Sequence, residues 1–159
     1  MWREGRRPLP FVPSPKDVVE KMLSIVDPNP DELLIDLGSG DGRIILSAAK
    51  DYRCWTLGVE KNVNLVELTK KKIAKMDLDK ATVLRGNLYS YDFSKADVLT
   101  LYLLPEVLEI LVPKFKKMKK GARIVSHDYM IPGLSPSEIY KVRSIETGRL
   151  HTIYLYLVK

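Results

Sequence analysis

The sequence has few of the features that mark exported or membrane-embedded proteins. It has no run of the roughly eighteen apolar residues that a membrane-spanning helix needs, and its first fifteen residues carry arginines and prolines instead of the apolar core of a secretory signal. Its single cysteine, Cys54, excludes an internal disulfide, and the apolar stretch around it indicates a buried thiol. We therefore expect a cytoplasmic protein without a membrane partner.

Side-chain amides are also scarce. The chain has no glutamine and four asparagines, whereas 29% of its residues are charged, a pattern typical of thermophile proteins.

The net charge of +6 comes mainly from lysines clustered in residues 70–75 and 114–120. Such clusters are either solvated helix faces or a surface that attracts nucleic acid or acidic proteins, so nucleic-acid-associated proteins are one class of expected partner.

The length of 159 residues and the 45% share of hydrophobic residues fit one domain with a substantial core. We expect residues 1–159 to form a single domain and the protein to be a monomer. Residues 1–15 are rich in proline and are predicted to be an extended N-terminal segment rather than a helix.

Strands and helices are predicted to alternate along the chain. The predicted strands are 33–36, 54–60, 81–86, 97–103 and 122–128, and the predicted helices are 16–26, 42–50, 62–76 and 105–119. Pro113 should kink or divide the last helix before Gly121 ends it. Residues 139–145 and 151–158 form a predicted hairpin. The pattern predicts an α/β fold with a five-strand parallel sheet, a C-terminal antiparallel hairpin and helices on both faces.

The most informative segment is the glycine-rich stretch that follows the first predicted strand. Gly38, Gly40 and Gly42 alternate with other residues, and Asp36 lies two residues before the first glycine. Glycines allow backbone angles that other residues avoid, so main-chain atoms can approach a ligand closely. Dinucleotide-binding loops usually have the spacing GxGxxG, whereas this loop has GxGxG, which favours S-adenosylmethionine over NAD.

A second acid supports this interpretation. Glu60 ends the next predicted strand, about twenty residues further on, where a carboxylate can accept hydrogen bonds from both ribose hydroxyls. The alternative is a glycine turn and a surface acid in some other α/β protein.

Several short motifs together resemble one family. The chain is similar to the small archaeal broad-specificity protein-lysine methyltransferases, which are related to mitochondrial lysine methyltransferases, through the segments Phe11-Val-Pro-Ser-Pro15, Asp36-Leu-Gly-Ser-Gly-Asp-Gly-Arg-Ile-Ile45, Gly58-Val-Glu60, Gly86-Asn87, Leu103-Leu104, Val125-Ser-His127 and His151-Thr-Ile-Tyr-Leu-Tyr156. The resemblance implies a Rossmann-like seven-strand methyltransferase sheet. It also implies methyl transfer from S-adenosylmethionine to lysine side chains of proteins, with S-adenosylhomocysteine as product.

The resemblance also implies a cofactor site made of Pro13, Ser14, Asp36, Gly38, Ser39, Gly40, Gly42, Glu60, Lys61 and Asn87. Asp36 and the amides around Gly38 and Gly40 would hold the amino-acid end of the cofactor, and Glu60 would hold the ribose. Asn87 would contact the adenine, and its alternative role is that of a loop-capping asparagine. The segment from Phe11 would fold over the site as a lid. Its alternative role is a proline-rich terminus without such a function.

The implied substrate channel contains Phe11, Tyr102, Leu103, Leu104 and Pro105. Enzymes that methylate planar amines commonly have an Asn/Asp-Pro-Pro-aromatic motif at this position, and the apolar Tyr102–Pro105 segment instead suits an aliphatic lysine stem. We expect no metal and no dedicated base, with Tyr102, His127 and Asp128 as the candidates if a catalytic side chain exists. His151 is expected to be structural.

Two other functions remain open at this point. The chain is alternatively an RNA or small-molecule methyltransferase on the same fold, or a non-enzymatic module that binds S-adenosylmethionine. The basic charge favours RNA, but the sequence shows no stacking motif or appended RNA-binding segment.

Overall fold

The computed structural model describes residues 12–159, which form one mixed β-sheet with helices on both faces. The strands are β1 Leu33–Leu37, β2 Trp55–Glu60, β3 Ala81–Arg85, β4 Val98–Leu101, β5 Arg123–His127, β6 Glu138–Arg143 and β7 Leu150–Leu157. The helices are α1 Lys16–Val26, α2 Arg43–Ser47, α3 Val63–Met76 and α4 Pro105–Phe115, and a π-helical turn, Ala48–Tyr52, continues α2. The predicted lid residue Phe11 lies outside the described residues.

The sheet has the strand order β3-β2-β1-β4-β5-β7-β6. Strands β1 to β5 are parallel to their neighbours, whereas β7 pairs antiparallel with both β5 and β6. The predicted parallel sheet with a C-terminal hairpin is confirmed. Because the carboxyl ends of parallel strands share one edge of a sheet, the residues that follow β1, β2, β4 and β5 are brought together there.

Two hydrophobic layers cover the sheet. One lies under α1 and α2, where α1 buries the predicted stripe Val18, Val19, Met22, Leu23 and Val26. The other lies under α4, which buries Leu108, Leu111 and Phe115. Both layers are formed by alternate residues of the central strands, so side chains at the strand ends lie above a rigid base.

The prediction of a helix over 105–119 is wrong at its end. Helix α4 continues through Pro113 without being divided and stops at Phe115. Pro113 lies in the last turn, so its missing N–H removes a hydrogen bond only near the end of the helix. The chain must then turn back toward β5, and Gly121, with φ +88°, donates its amide to Val158 O at 2.8 Å.

The start of α1 is attached to the turn between β6 and β7. Asp17 accepts hydrogen bonds from Ser144 Oγ at 2.8 Å and from the Ile145 amide at 2.7 Å. The Lys16 amide donates to Glu146 Oε2 at 3.1 Å. These contacts hold the segment that enters α1 against the C-terminal hairpin.

The middle of β7 is buried, as its apolar sequence predicts, with His151, Ile153, Leu155 and Tyr156 covered. Its two ends, Leu150 and Leu157, are about half exposed.

None of the helices within residues 12–159 combines the length and apolar character that crossing a bilayer requires.

Candidate active site

The glycine loop turns immediately after β1. The amides of Gly38 and Ser39 both donate to Val59 O, at 2.8 and 3.1 Å, which fastens the loop to β2. Gly38, Gly40 and Gly42 have φ values of +74°, +58° and +82°, as the sequence predicts for a loop that only glycine tolerates. The Gly38 amide is therefore already paired within the protein.

Close packing also requires two of the glycines in this region. A β-carbon on Gly42 would lie 2.5 Å from Thr69 Cγ2, and one on Gly58 would lie 2.5 Å from Ser39 Oγ. The Ser39 side chain thus points at β2, and its buried hydroxyl has no hydrogen-bond partner among the described residues. Because the Ser39 amide also donates to Val59 O, both donors of this residue are directed into the protein.

Glu60 joins the glycine loop to the start of α3. Its Oε1 accepts from the Gly40 amide and its Oε2 from the Asn62 amide, both at 2.8 Å. The carboxylate is only partly buried, and Lys61 beside it is exposed. Glu60 thus ends β2, as predicted, and orders the glycine loop.

Asp36 is a buried acid at the end of β1, only 3% exposed. Thr100 Oγ1 on the neighbouring strand β4 donates to Asp36 Oδ1 at 2.8 Å. Burial raises the pKa of the Asp36 carboxyl to about 7, and the nearby carboxylates of Glu60 and Asp41 act in the same direction, whereas the Thr100 hydrogen bond opposes them. An ammonium group placed here would stabilise the ionised carboxylate, so this site fits the amino-acid end of S-adenosylmethionine.

Asn87 lies just past β3 and caps its own loop. Its Oδ1 accepts from the Tyr89 amide at 2.9 Å, and the side chain is exposed. The structure thus contains the loop-capping contact that the sequence offered as an alternative. The side-chain NH₂ carries the two donors that a cofactor contact would use.

An apolar rim, Tyr102–Pro105, follows β4. Leu103 Cδ2 would lie 3.4 Å from a β-carbon placed on Gly38, so the rim directly borders the glycine loop. Tyr102, Leu103 and Leu104 are partly exposed, and Pro105 is the first residue of α4, where its missing N–H costs nothing. The predicted channel residues are together at this edge, with Phe11 outside the described part of the chain.

Residues 13–14, which precede α1, reach the same edge. Ser14 is 4% exposed, and its Oγ lies 2.8 Å from His127 Nδ1. Its carbonyl accepts from Arg43 Nη1 at 2.9 Å, and Arg43 forms an ion pair with Asp41 at 2.8 Å. Ser14 therefore connects this segment to both the glycine loop and β5, and Pro13 beside it is half-buried.

His127 ends β5 and is fully buried. Its ring lies against the Tyr102 ring, with centroids 4.0 Å apart. Its Nε2 is 2.9 Å from His151 Nδ1, and His151 Nε2 is 2.9 Å from Thr147 Oγ1. Burial lowers the pKa of His127 to about 4, against a smaller opposing effect of Asp128, so the imidazole is neutral near pH 7.

Asp128 follows with φ +62°. Its Oδ2 lies 3.4 Å from His127 Nε2 and 3.5 Å from His151 Nδ1, and Arg149 Nη2 lies 3.6 Å from the same oxygen. The two predicted candidates His127 and Asp128 are thus adjacent, and His151, which the sequence predicts to be structural, completes a cluster with them.

Thr100, Thr69 and Arg43 were not predicted as parts of the site. Thr100 carries the only hydroxyl in the apolar strand Val98–Leu101. A buried hydroxyl needs a hydrogen-bond partner, so the sequence could have indicated a polar contact at this residue. Thr69 donates to Leu65 O and packs against Gly42, a contact that nothing local in the sequence indicates.

Known proteins resemble this chain over nearly its whole length. A model of the ANTKMT methyltransferase domain matches residues 36–138. A protein-lysine N-methyltransferase of Saccharolobus islandicus is 42% identical and is covered over 94% of each chain. The adenine nucleotide translocase lysine N-methyltransferase of Mus musculus is 30% identical, over 82% of this chain and 58% of that longer protein.

A solved structure shows the same fold with a ligand. The crystal structure of an RNA methyltransferase from Salinibacter ruber in complex with S-adenosyl-L-homocysteine superposes with a TM-score of 0.83 at 36% identity, covering 92% of this chain and 94% of that one. The glycine loop, the buried Asp36 and the strand-end Glu60 therefore belong to an enzyme that uses S-adenosylmethionine. The chain is a member of the ANTKMT methyltransferase-domain family.

Proposed function

We propose that this enzyme methylates lysine side chains of other proteins and accepts a broad range of them. The observation that carries the proposal is the apolar rim Tyr102–Pro105, which borders Gly38 of the cofactor loop. The 42% identity to an archaeal protein-lysine N-methyltransferase supports the same acceptor.

The rim suits an aliphatic amine better than a planar one. A lysine stem is four methylenes long, and Leu103 and Leu104 offer apolar side chains along which it can lie. A planar base or amide would need a polar group to hold its conjugated amine, and this segment carries none apart from the Tyr102 hydroxyl. The partly exposed rim also leaves room for acceptors of different sequence, which is why we propose a broad range.

The bound cofactor would supply an electrophilic methyl group on its sulfonium. In this chain, the Asp36 carboxylate would pair with the cofactor ammonium, and Glu60 would accept hydrogen bonds from the ribose hydroxyls. The glycine loop lets the backbone approach the ligand, and Asn87 would offer its amide to the adenine. These residues bind and orient, which is the contribution a displacement reaction needs most.

The acceptor amine must lose a proton before it reacts. A free lysine has a pKa of about 10.4, so the neutral amine costs roughly 4.6 kcal/mol at pH 7. An apolar rim and a neighbouring positive charge both disfavour the ammonium form, and together they lower its pKa by amounts of this order. Tyr102 is a poor base near neutral pH because burial raises the pKa of its phenol.

A labelling experiment tests the acceptor. Tritiated S-adenosylmethionine would be offered with a lysine-rich protein, with the same protein after acetylation of its lysines, and without an acceptor. We expect label only on the unmodified protein, and methyl-lysine by mass spectrometry. The Glu60→Ala variant serves as the enzyme control. Equal labelling of the acetylated protein, or label confined to another residue type, would refute lysine as the acceptor.

RNA is the second candidate acceptor. The structure from Salinibacter ruber is described as an RNA methyltransferase, and the net charge of +6 would favour RNA binding. An RNA arm in the same experiment decides between the two. RNA labelling above that of protein would replace the first proposal.

We further propose a cytoplasmic monomer from a thermophilic source that acts on nucleic-acid-associated proteins. The scarcity of amides and the high share of charged residues support the thermophilic origin. The buried free thiol of Cys54 suits a reducing compartment. The excess of lysine would attract the enzyme to proteins already bound to nucleic acid. Light scattering would measure the oligomeric state directly.

A further inference from the structure

The two histidines of the chain lie side by side. The sequence contains only His127 and His151, separated by 24 residues, and the pairing of β5 with β7 brings Nε2 of the first within 2.9 Å of Nδ1 of the second. Both side chains are buried, at 0% and 1% exposure. Asp128 Oδ2 lies 3.4 and 3.5 Å from these two nitrogens.

Each of the three groups is oriented by a further contact. The other nitrogen of His127 lies 2.8 Å from Ser14 Oγ, and the other nitrogen of His151 lies 2.9 Å from Thr147 Oγ1. Asp128 Oδ1 accepts from the Thr152 amide at 3.1 Å. In known metal sites, a hydrogen bond at the other ring nitrogen orients a ligating histidine, and ligating carboxylates are hydrogen-bonded as well.

We propose that His127 Nε2, His151 Nδ1 and Asp128 Oδ2 bind a Zn²⁺ ion. The ligand atoms of the three residues lie within 4.8 Å of one another, and the cluster stands out among the described residues as a group that could hold an ion. Two imidazoles and one carboxylate are a common ligand set for zinc, with water in the fourth position.

The distances are close to those of such a site. Zinc bonds of about 2.0–2.2 Å at tetrahedral angles place ligand atoms roughly 3.3–3.5 Å apart. The two distances to Asp128 Oδ2 already match, and the nitrogen–nitrogen distance of 2.9 Å needs to widen by a few tenths of an ångström. That change requires a small shift of one ring together with its hydrogen-bond partner, because both rings are buried and bonded at their other nitrogens.

Two other occupants compete for this centre. A single proton shared between the two rings would satisfy the same nitrogens by a hydrogen bond. Arg149 Nη2 lies 3.6 Å from Asp128 Oδ2 and supplies a positive charge, and its side chain, which is 63% exposed, also hydrogen-bonds Tyr102, so an ion would have to displace Arg149 from Asp128. Asp128 is 18% exposed, so an ion would approach the cluster from the side of this carboxylate.

The site would tie three separate segments together. His127 ends β5, His151 lies in β7, and Ser14 precedes α1. This role goes beyond the proposed methyl transfer. Its test measures metal binding and stability alone, so a negative result would leave the proposed function untouched.

The test uses untagged protein freed of metal with a chelator. Isothermal titration with Zn²⁺ should give one equivalent per chain, and Co²⁺ should give the visible absorption of a four- or five-coordinate centre. Zn²⁺ should also raise the melting temperature, because an ion that binds only the folded state stabilises it. Absence of stoichiometric binding would overturn the proposal and leave the shared proton as the occupant.

Asp128→Asn is the decisive variant. Asparagine tolerates the positive φ of this residue and can still accept from the Thr152 amide, so the fold should persist. Zinc affinity should fall by at least about tenfold, since even a lost partner of a metal ligand costs that much. Unchanged affinity would overturn the proposal.

Arg149→Ala is the matched control at the same cluster. It removes the competing charge from an exposed position and leaves the three ligands in place. Zinc should bind as tightly as in the wild type, or more tightly. A loss of affinity as large as that of Asp128→Asn would show that binding does not depend on the proposed ligands.

Discussion

Thr100 Oγ1 donates a 2.8 Å hydrogen bond to Asp36 Oδ1 across the paired strands β1 and β4. Asp36 is also buried, and burial raises the pKa of its carboxyl to about 7 although the Thr100 hydrogen bond opposes this effect. The acid is therefore protonated in much of the cofactor-free protein below neutral pH, and its ionisation opposes folding.

The first prediction concerns the pH dependence of stability. The pKa of Asp36 in the folded state lies above its unfolded value of about 3.8. The stabilising contribution of the protonated carboxyl to folding is therefore fully present below pH 4 and is lost as pH rises through 7. The shift corresponds to on the order of 4 kcal/mol. Denaturant unfolding of Asp36→Asn between pH 4 and 8 should lack this part of the wild-type slope. Identical slopes would refute the raised pKa.

Cofactor binding should release a proton from Asp36. An ammonium group beside the carboxyl favours its ionised form, so the bound state has a lower pKa. Near pH 6 we expect up to one proton released for each S-adenosylmethionine bound. Calorimetry in buffers of different ionisation enthalpy measures this number. Asp36→Asn, which has no proton to release, should give a value near zero.

Glu60 should contribute to cofactor affinity in two ways, by accepting from the ribose and by holding the Gly40 amide at 2.8 Å. Loss of two hydrogen bonds to a carboxylate costs on the order of 2 to 3 kcal/mol, or roughly 30- to 150-fold in Kd. Calorimetry on Glu60→Ala should show this loss. Glu60→Gln keeps an acceptor for Gly40 and should lose less. Wild-type affinity in a folded Glu60→Ala protein would remove this residue from the site.

Gly42 should be intolerant of any side chain. Alanine there would combine a positive φ of +82° with a β-carbon 2.5 Å from Thr69 Cγ2, which predicts a loss of about 2 to 4 kcal/mol of stability. Gly133 has φ +76° and open space around it, so Gly133→Ala isolates the backbone cost of about 1 kcal/mol. Equal losses in denaturant unfolding would show that Thr69 accommodates the new methyl group.

Tyr102 should not act as a general base. Burial raises the pKa of its phenol, so it stays protonated between pH 7 and 9. Tyr102→Phe should therefore reduce single-turnover methylation of a lysine peptide by less than about tenfold, because general-base catalysis is typically worth 10²- to 10⁴-fold. The rate should rise from pH 7 to 9 in both proteins as more lysine becomes neutral. A hundredfold loss with cofactor affinity preserved would identify a catalytic tyrosine.

The sequence predicted best what local patterns encode. The strand before Asp36, the glycine loop and the acid at Glu60 are set by neighbouring residues and by strand spacing, and the structure places them as expected. The end of α4 was misjudged because lysine-rich residues after Phe115 favour helix, whereas the chain must turn there to enter β5.

Contacts between distant segments were harder to predict. Thr100 and Asp36 are 64 residues apart, and Ser14 and His127 are 113 apart. Their meeting depends on strand register and on the path of the N-terminal segment, neither of which a local pattern specifies. The contact between His127 and His151 likewise depends on the pairing of β5 with β7, and the structural role predicted for His151 stays a prediction.

The position of β7 between β5 and β6 has a consequence for the order of folding. Strand β6 precedes β7 in the chain but pairs only with β7 within the described sheet, so residues 138–143 have no strand to join until β7 has been synthesised. On a ribosome, β1 to β5 can form a sheet while the hairpin is still incomplete. Until then His127 would lack its hydrogen-bond partner His151, and Asp17 would lack the hydrogen bond from Ser144 in the turn between β6 and β7. The pair of His127 and His151 can therefore form only after the hairpin has been synthesised.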